Sequence, residues 1–190
     1  MGMYSEKNEG DGKVVDLING EKVFLRQLMR SDLDEMDHWP PYTEPDLQWA
    51  NFSLRSAAQK QAWYRQETYD PTRKRFGVFL KGRLIGVLGF RSIDYRRRRA
   101  TLGIHLSADE VDRGYGTDAI RAALTYAFGK MELQEVNLDV AEDNLRARRC
   151  YEKCGFRLIG RHRDYRGQGF LDMKIRAEEF TRQSRASLSS

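Results

Sequence analysis

The stretch Arg113-Gly114-Tyr115-Gly116-Thr117 lies just ahead of the most regular apolar stripe in the chain. Glycines let successive amides turn to one side, and a helix N-terminus adds partial positive charge. Such a loop suits an anion, phosphate best of all. A plain turn that needs positive φ would use the same residues. Farther along, Asn144 stands where a helix would begin, and Tyr151 follows on that helix. A tyrosine beside a departing group can supply a proton or a hydrogen bond. Ala147, Cys150, Tyr151 and Cys154 share one helical face, however, and that pattern also reads as packing.

Other chemistries find little support. The three histidines, His38, His105 and His162, are scattered, and the two cysteines, Cys150 and Cys154, have no further ligand near them. No HExxH or CxxC occurs, so no metal site is expected and the cysteines read as small packing residues. Gly114, Gly116 and Ala119 do satisfy G-x-G-x-x-A, the dinucleotide fingerprint, with Glu135 or Asp139 at about the right distance beyond. Two features weigh against it. Residues 107–113 separate the glycines from the preceding strand, and the roughly 60 residues that follow make one mononucleotide half rather than two.

The elements that must hold these groups follow from periodicity. Residues 23–26 read as a short strand, and Ser31 as the N-cap of a short helix to His38, stopped by Pro40-Pro41. Residues 55–68 carry helix formers, with Ala58, Ala62 and Arg65 on one side. Residues 76–90 hold two apolar strands around Lys81-Gly82, a hairpin signal, and 100–106 a third strand. Ile120, Ala123, Leu124, Ala127, Phe128 and Met131 recur at helical spacing, the clearest helix in the chain. Within 135–141, Val136, Leu138 and Val140 alternate with Asn137 and Asp139, as in a strand. Asn144 caps a helix that Gly155 ends. Residues 156–165 and 170–176 form a closing hairpin around Arg166-Gly167-Gln168-Gly169. The order β-α-α-β-β-β-α-β-α-β-β is that of a mixed α/β fold.

Composition bounds the partners. The chain of 190 residues is one domain's length, 40% hydrophobic and 32% charged. Its longest apolar-or-glycine run, residues 84–90, falls far short of the ~20 residues of a spanning helix, so no membrane partner is expected. No signal-peptide core opens the sequence, which makes the cytoplasm the expected compartment. The formal charge of +5 favours anionic partners. Arg96, Arg97, Arg98 and Arg99 read as a solvated hairpin turn, with a nucleic-acid or acidic-protein patch as the alternative. Without regular aromatic–basic interleaving, nucleic acid is not expected. Residues 1–21, polar and glycine-rich, are expected to be a flexible lead, 22–180 the folded domain and 181–190 a flexible tail.

The segment Arg113-Gly114-Tyr115-Gly116-Thr117-Asp118-Ala119, then Val136-Asn137-Leu138-Asp139-Val140, Asn144 and Tyr151-Glu152-Lys153-Cys154-Gly155-Phe156, resembles in order and spacing the GCN5-related N-acetyltransferase superfamily. Within it the likeness is to the ribosomal-protein-alanine and polyamine acetyltransferase branch, which Phe24-Leu25-Arg26-Gln27-Leu28 and Gly160-Arg161 also fit. The resemblance covers about residues 22–178. It implies a central, mostly antiparallel twisted sheet flanked by helices, over an N-acetyltransferase domain. It implies acetyl-CoA as cosubstrate, its pyrophosphate held by the amides of Val111, Asp112, Arg113, Gly114, Tyr115, Gly116 and Thr117. The strand end near Leu106 would bind the pantetheine arm, Asn144 would contact the cofactor, and Tyr151 would sit near the sulfur as general acid. The reaction implied is direct attack on the thioester by a primary amine in a ternary complex, the acceptor being a protein N-terminus, a polyamine or another small amine. Homodimers are implied by analogy with the branch.

The sequence departs from the family pattern in two places. The loop usually opens on Gln or Arg, and here it opens on Val111; the preceding strand often carries Glu, and here Ala100 and Thr101 stand there. His105 is read as structural, and Asp109, Glu110 and Asp139 as solvated charges. An amine that loses its proton to water instead would react faster as pH rises, since a lysine-like amine has a pKa of about 10.4. Arg146, Arg148 and Arg149 are read as solvated, with one of them reaching the 3′-phosphate of CoA as the sharper alternative. The acceptor would lie between Trp39-Pro40-Pro41-Tyr42-Thr43-Glu44-Pro45-Asp46 and residues 163–169. The missing acidic base motivates one competing reading, a non-catalytic acyl-CoA-binding or regulatory module. The arginine run motivates another, a basic nucleic-acid or ribosome-associated protein.

Overall fold

Lys81 and Gly82 both take positive φ, 49° and 85°. That is the requirement of a two-residue hairpin turn whose twist matches its strands. The exposed turn joins β3 (Lys74–Leu80) to β4 (Arg83–Asp94), two inner strands of the sheet. The structure, a computed structural model, describes residues 17–43 and 56–187. Before the hairpin come β1 (Ile18–Asn19) and β2 (Phe24–Gln27). After it come β5 (Arg99–Leu106), β6 (Glu135–Ala141), β7 (Arg157–Arg163) and β8 (Gly169–Arg176). They form one sheet in the order β1-β2-β3-β4-β5-β6-β8-β7. Every pairing is antiparallel except β5 with β6. The mixed, mostly antiparallel sheet implied by the resemblance is therefore the observed one.

The helices cover this sheet. On one face lies α3 (Tyr115–Gly129), which buries Ala119, Ile120, Ala123, Leu124 and Ala127 against Phe76, Leu88, Phe90, Leu102 and Val136. Phe128 and Met131, at the end of the stripe, are only partly buried. The Asn144 side chain accepts the Ala147 N–H at 3.0 Å and so starts α4 (Leu145–Lys153). Gly155, at φ 94°, turns the chain out of it. A second cluster, with Leu28, Leu33, Met36, Phe79, Leu84 and Val87, lies under α1 (Asp32–Glu35), a 3-10 turn at Met36–His38 and α2 (Ala57–Tyr69). Asp94 accepts the Arg97 N–H at 2.8 Å, and the arginine run forms the expected hairpin turn.

Three expectations need correction. Residues 17–21, placed in the flexible lead, include β1, which pairs Ile18 with Leu25; residues 1–16 lie outside the described set. Of the flexible tail expected over 181–190, residues 181–187 are instead the end of α5 (Ala177–Ser187), and residues 188–190 lie outside the described set. Glu179 accepts the Arg176 N–H at 3.0 Å at the start of that helix, and Phe180 packs on Phe128. Ser31 makes no side-chain cap; Asp32 does the local work, accepting the Met29 N–H at 2.7 Å and both guanidinium ends of Arg26 at 2.8 Å. On α2 the exposed side holds Ala58, Ala62 and Arg65, while Lys60 and Glu67 are buried. Lys60 pairs with Asp34 and Asp37, and Glu67 with Arg73 and Arg75. Ion pairs tie this helix down, so no apolar period announces its packed face.

Candidate active site

Strands β5 and β6 pair only from Arg99↔Glu135 to Thr101↔Asn137. Beyond Thr101, β5 follows β4 to Leu106 while β6 follows β8 to Ala141, and the two separate. The split leaves one edge of β5 without a strand partner among the described residues. It opens a cleft of about 970 Å³, within the range of small-molecule sites. An unpaired strand edge offers alternating N–H and C=O groups to an extended amide ligand.

The phosphate-type loop closes one end. A 3-10 turn (Ala108–Glu110) follows β5, and Asp112 and Gly114 then take φ of 59° and 81° to reach α3. The N-terminus of α3, whose first amides have no intrahelical partner, stands at the cleft, which Gly116 and Thr117 line. Val111, Asp112, Gly114, Gly116 and Thr117 line the cleft, as does Leu106. A Cβ on Gly116 would meet Cys150 Sγ and Leu106 Cδ1 at 3.5 Å, so glycine leaves the cleft its width there. Arg113 and Tyr115 do not line it. Arg113 reaches Glu110 at 3.4 Å and Tyr115 packs against the core cluster.

The opposite wall is β6 and α4. Asn144, Arg146, Ala147, Arg149, Cys150 and Tyr151 line it; Arg148 does not. The side-chain oxygen of Asn144 is spent on its cap, so its amide NH₂ is the part left for a ligand. Arg146 pairs with Asp112 at 3.2 Å across the mouth. Tyr151 is only 7% exposed and packs edge-on against Phe156. Its hydroxyl bonds to no described residue. Burial, then Cys150 and Asp139, push its pKa above the ordinary phenol range, so it stays protonated.

The two cysteines differ. Cys154 is buried and its pKa is pushed up by its bond with Cys150 and by burial, which fits the packing role expected for both. Cys150 instead faces the cleft, with its sulfur 3.3 Å from Thr117 Oγ1. Its hydrogen bond with Cys154, opposed by burial and aided by Thr117, lowers its pKa below the ordinary thiol range.

Three of the four base candidates are neutralised or turned aside. Glu110, expected to be solvated, is buried between Arg83 and Arg113. Asp139 lies in the cleft but pairs with Arg91, and Asp109 accepts the Ser107 hydroxyl. His105 lines the cleft, stacked on Trp39 at 5.6 Å and edge-on to Tyr42 at 5.8 Å. Burial lowers its pKa to about 4, so the ring is neutral near pH 7.

Tyr42 also donates to the Leu106 carbonyl at 3.0 Å, which ties the loop after the 3-10 turn to the end of β5. Trp39 and Tyr42 thus stand where an acceptor segment was expected, while Glu44 and Asp46 lie outside the described residues. Residues 163–169 do not line the cleft; the adjacent Phe170 does. Met36, Trp63, Arg75 and Arg91 line it too and were not foreseen. Trp63 shares a helix with exposed alanines, and Arg91 carries no motif, so neither gave a signal. Among the described residues no cluster suits a metal ion, and no helix is long and apolar enough to cross a membrane.

Known proteins give this geometry a frame. The model of the acetyltransferase (GNAT) domain matches residues 22–157. A spermidine N(1)-acetyltransferase of Vibrio cholerae is 29% identical over 136 residues, 71% of this chain and 79% of that protein. The crystal structure of the Vibrio cholerae spermidine N-acetyltransferase with CoA and spermine superposes with a TM-score of 0.72 at 26% identity, covering 84% of this chain and 98% of the other. A dodecameric structure of spermidine N-acetyltransferase from the same organism gives 0.69 at 25% identity, covering 86% and 98%. With its split sheet, its glycine loop on α3 and a domain match over most of its length, this chain belongs to the GNAT acetyltransferase family.

Proposed function

We propose that the cleft moves the acetyl group of acetyl-CoA directly onto a primary amine, and that a polyamine is the first acceptor to try. The chain is an acetyl-CoA-dependent N-acetyltransferase. The observation that carries the site assignment is the divergence of β5 from β6, which puts the glycine loop at one end of a cleft and Tyr151 on its wall.

Acetyl-CoA supplies a thioester carbonyl open to attack and a thiolate as leaving group. The chain's residues position the rest. Amides of residues 111–117 and the α3 N-terminus hold pyrophosphate, and the free edge of β5 near Leu106 holds the pantetheine arm. The Asn144 NH₂ donates to the cofactor from α4. Tyr151 hydrogen-bonds the departing sulfur. With its pKa raised well above the thiol's ~8.5, it stabilises the thiolate without surrendering its proton outright. His105, neutral and beside Trp39 and Tyr42, offers a ring nitrogen to the incoming amine or to a water between them.

The names of the Vibrio relatives favour a polyamine, and the aromatic lining of Tyr42 and Trp63 suits an amine's alkyl chain and charge. Self-association is proposed through β7, the outermost strand, where Leu158 and Ile159 are exposed. The cytoplasm is the proposed compartment.

Release of free CoA thiol is the assay, run with spermidine, spermine, a small monoamine and a peptide with a free N-terminus. Amine-dependent release, strongest with a polyamine, is expected. Tight acetyl-CoA binding with no release on any amine would point instead to an acyl-CoA-binding module.

A further inference from the structure

The turn over residues 20–23, between β1 and β2, docks against the glycine loop. Asp118, in the first turn of α3, is buried and accepts three successive backbone N–H groups: Glu21 at 2.8 Å, Lys22 at 2.7 Å and Val23 at 2.9 Å. Gly20 closes the turn by donating to the Val23 carbonyl at 2.8 Å. A Cβ at Gly20 would collide with the Asp118 carboxylate, so the approach requires glycine.

The turn, so fixed, sends the Lys22 side chain over the loop. Its ammonium lies 3.5 Å from the Arg113 carbonyl oxygen and 3.1 Å from where a Cβ on Gly114 would stand. The cations around it are already matched: Arg146 to Asp112, and Arg83 and Arg113 to Glu110. Lys22 is exposed and forms no ion pair with a described residue.

We propose that Lys22 is a phosphate ligand for acyl-CoA, a cation that the N-terminal turn delivers to the glycine loop from outside α3. The proposal rests on the loop being the cofactor-phosphate site. Loop amides give directional donors but no net charge. A lysine adds a compact point charge with three rotatable N–H groups, and needs no preset fork geometry. The Asp118 clamp is what makes that lysine useful, since a side chain on a free lead would sacrifice more entropy on binding.

Calorimetric titration of the full chain tests this, with acetyl-CoA and 3′-dephospho-acetyl-CoA against the unaltered protein, Lys22→Ala and Lys22→Arg. Lys22→Ala should weaken acetyl-CoA binding about five- to tenfold at low salt, less at high salt, with Lys22→Arg close to the unaltered protein. The melting temperature of Lys22→Ala should be unchanged, because the side chain is exposed. A loss that vanishes with the dephospho compound assigns the 3′-phosphate; a loss that persists assigns the pyrophosphate. Equal affinity of Lys22→Ala and the unaltered protein at low salt overturns the proposal alone. No binding of acetyl-CoA by the unaltered protein overturns the cofactor-site reading beneath it.

Discussion

The Asp118 carboxylate accepts the backbone N–H of Lys22 at 2.7 Å, joining the first turn of α3 to chain 96 positions earlier. The same carboxylate holds Glu21 and Val23, and a negative charge in a helix's first turn is itself favourable. Removing it leaves three amides without their acceptor. Asp118→Ala should destabilise the protein by about 3 kcal/mol or more, read by urea unfolding. Asp118→Asn, which keeps one acceptor, should cost less. A loss below about 0.5 kcal/mol for the alanine variant would show that the turn is held by something else.

Tyr151→Phe separates the two readings of that residue. The ring packs on Phe156, and the residue lines the cleft. The variant should therefore keep its stability and its affinity for acetyl-CoA, and lose about 10- to 100-fold in kcat. Because the phenol's pKa is raised, the unaltered enzyme should show no alkaline fall in rate below about pH 10, and kcat/KM should climb with pH as the amine deprotonates. An unchanged kcat in the variant would make Tyr151 a packing residue only.

His105 ties stability to pH. Its folded pKa of about 4 lies below the ordinary 6.5, so the unfolded chain binds the proton first. Its contribution is present above about pH 6.5 and is lost as pH falls toward 4, up to about 3 kcal/mol in all. Unfolding measured from pH 7.5 to 4 should fall more steeply for the unaltered protein than for His105→Gln. Parallel curves would place the ring in water, free to titrate.

Much of this fold was legible because its signals are local. The Lys81-Gly82 turn, the apolar stripe of α3, the alternation in β6 and the Asn144 cap each lie within a dozen residues. What escaped depends on distant partners. The separation of β5 from β6 is a matter of which strand each follows, and no run of residues in either encodes it. The His105 cluster assembles from Trp39, Tyr42 and β5, and the Arg91–Asp139 pair spans two strands. α2 hid its packed face because the charged Lys60 and Glu67 share it with Trp63 and Tyr64. The glycine loop and Tyr151 could be named from the sequence, and the resemblance implied that one cofactor joins them; the divergence of β5 from β6 that opens the cleft between them was not legible.

The most direct test of that cleft is calorimetric titration of the protein with acetyl-CoA beside a Gly116→Glu variant. Gly116 sits in the first turn of α3 with room for a Cβ, so the backbone tolerates the change, while the carboxylate would occupy the cleft beside Cys150 and Leu106. Micromolar binding by the unaltered protein, lost in a variant that unfolds at the same temperature, is the predicted result. Equal binding by both, or none by either folded protein, would contradict the assignment of this loop and cleft to acetyl-CoA.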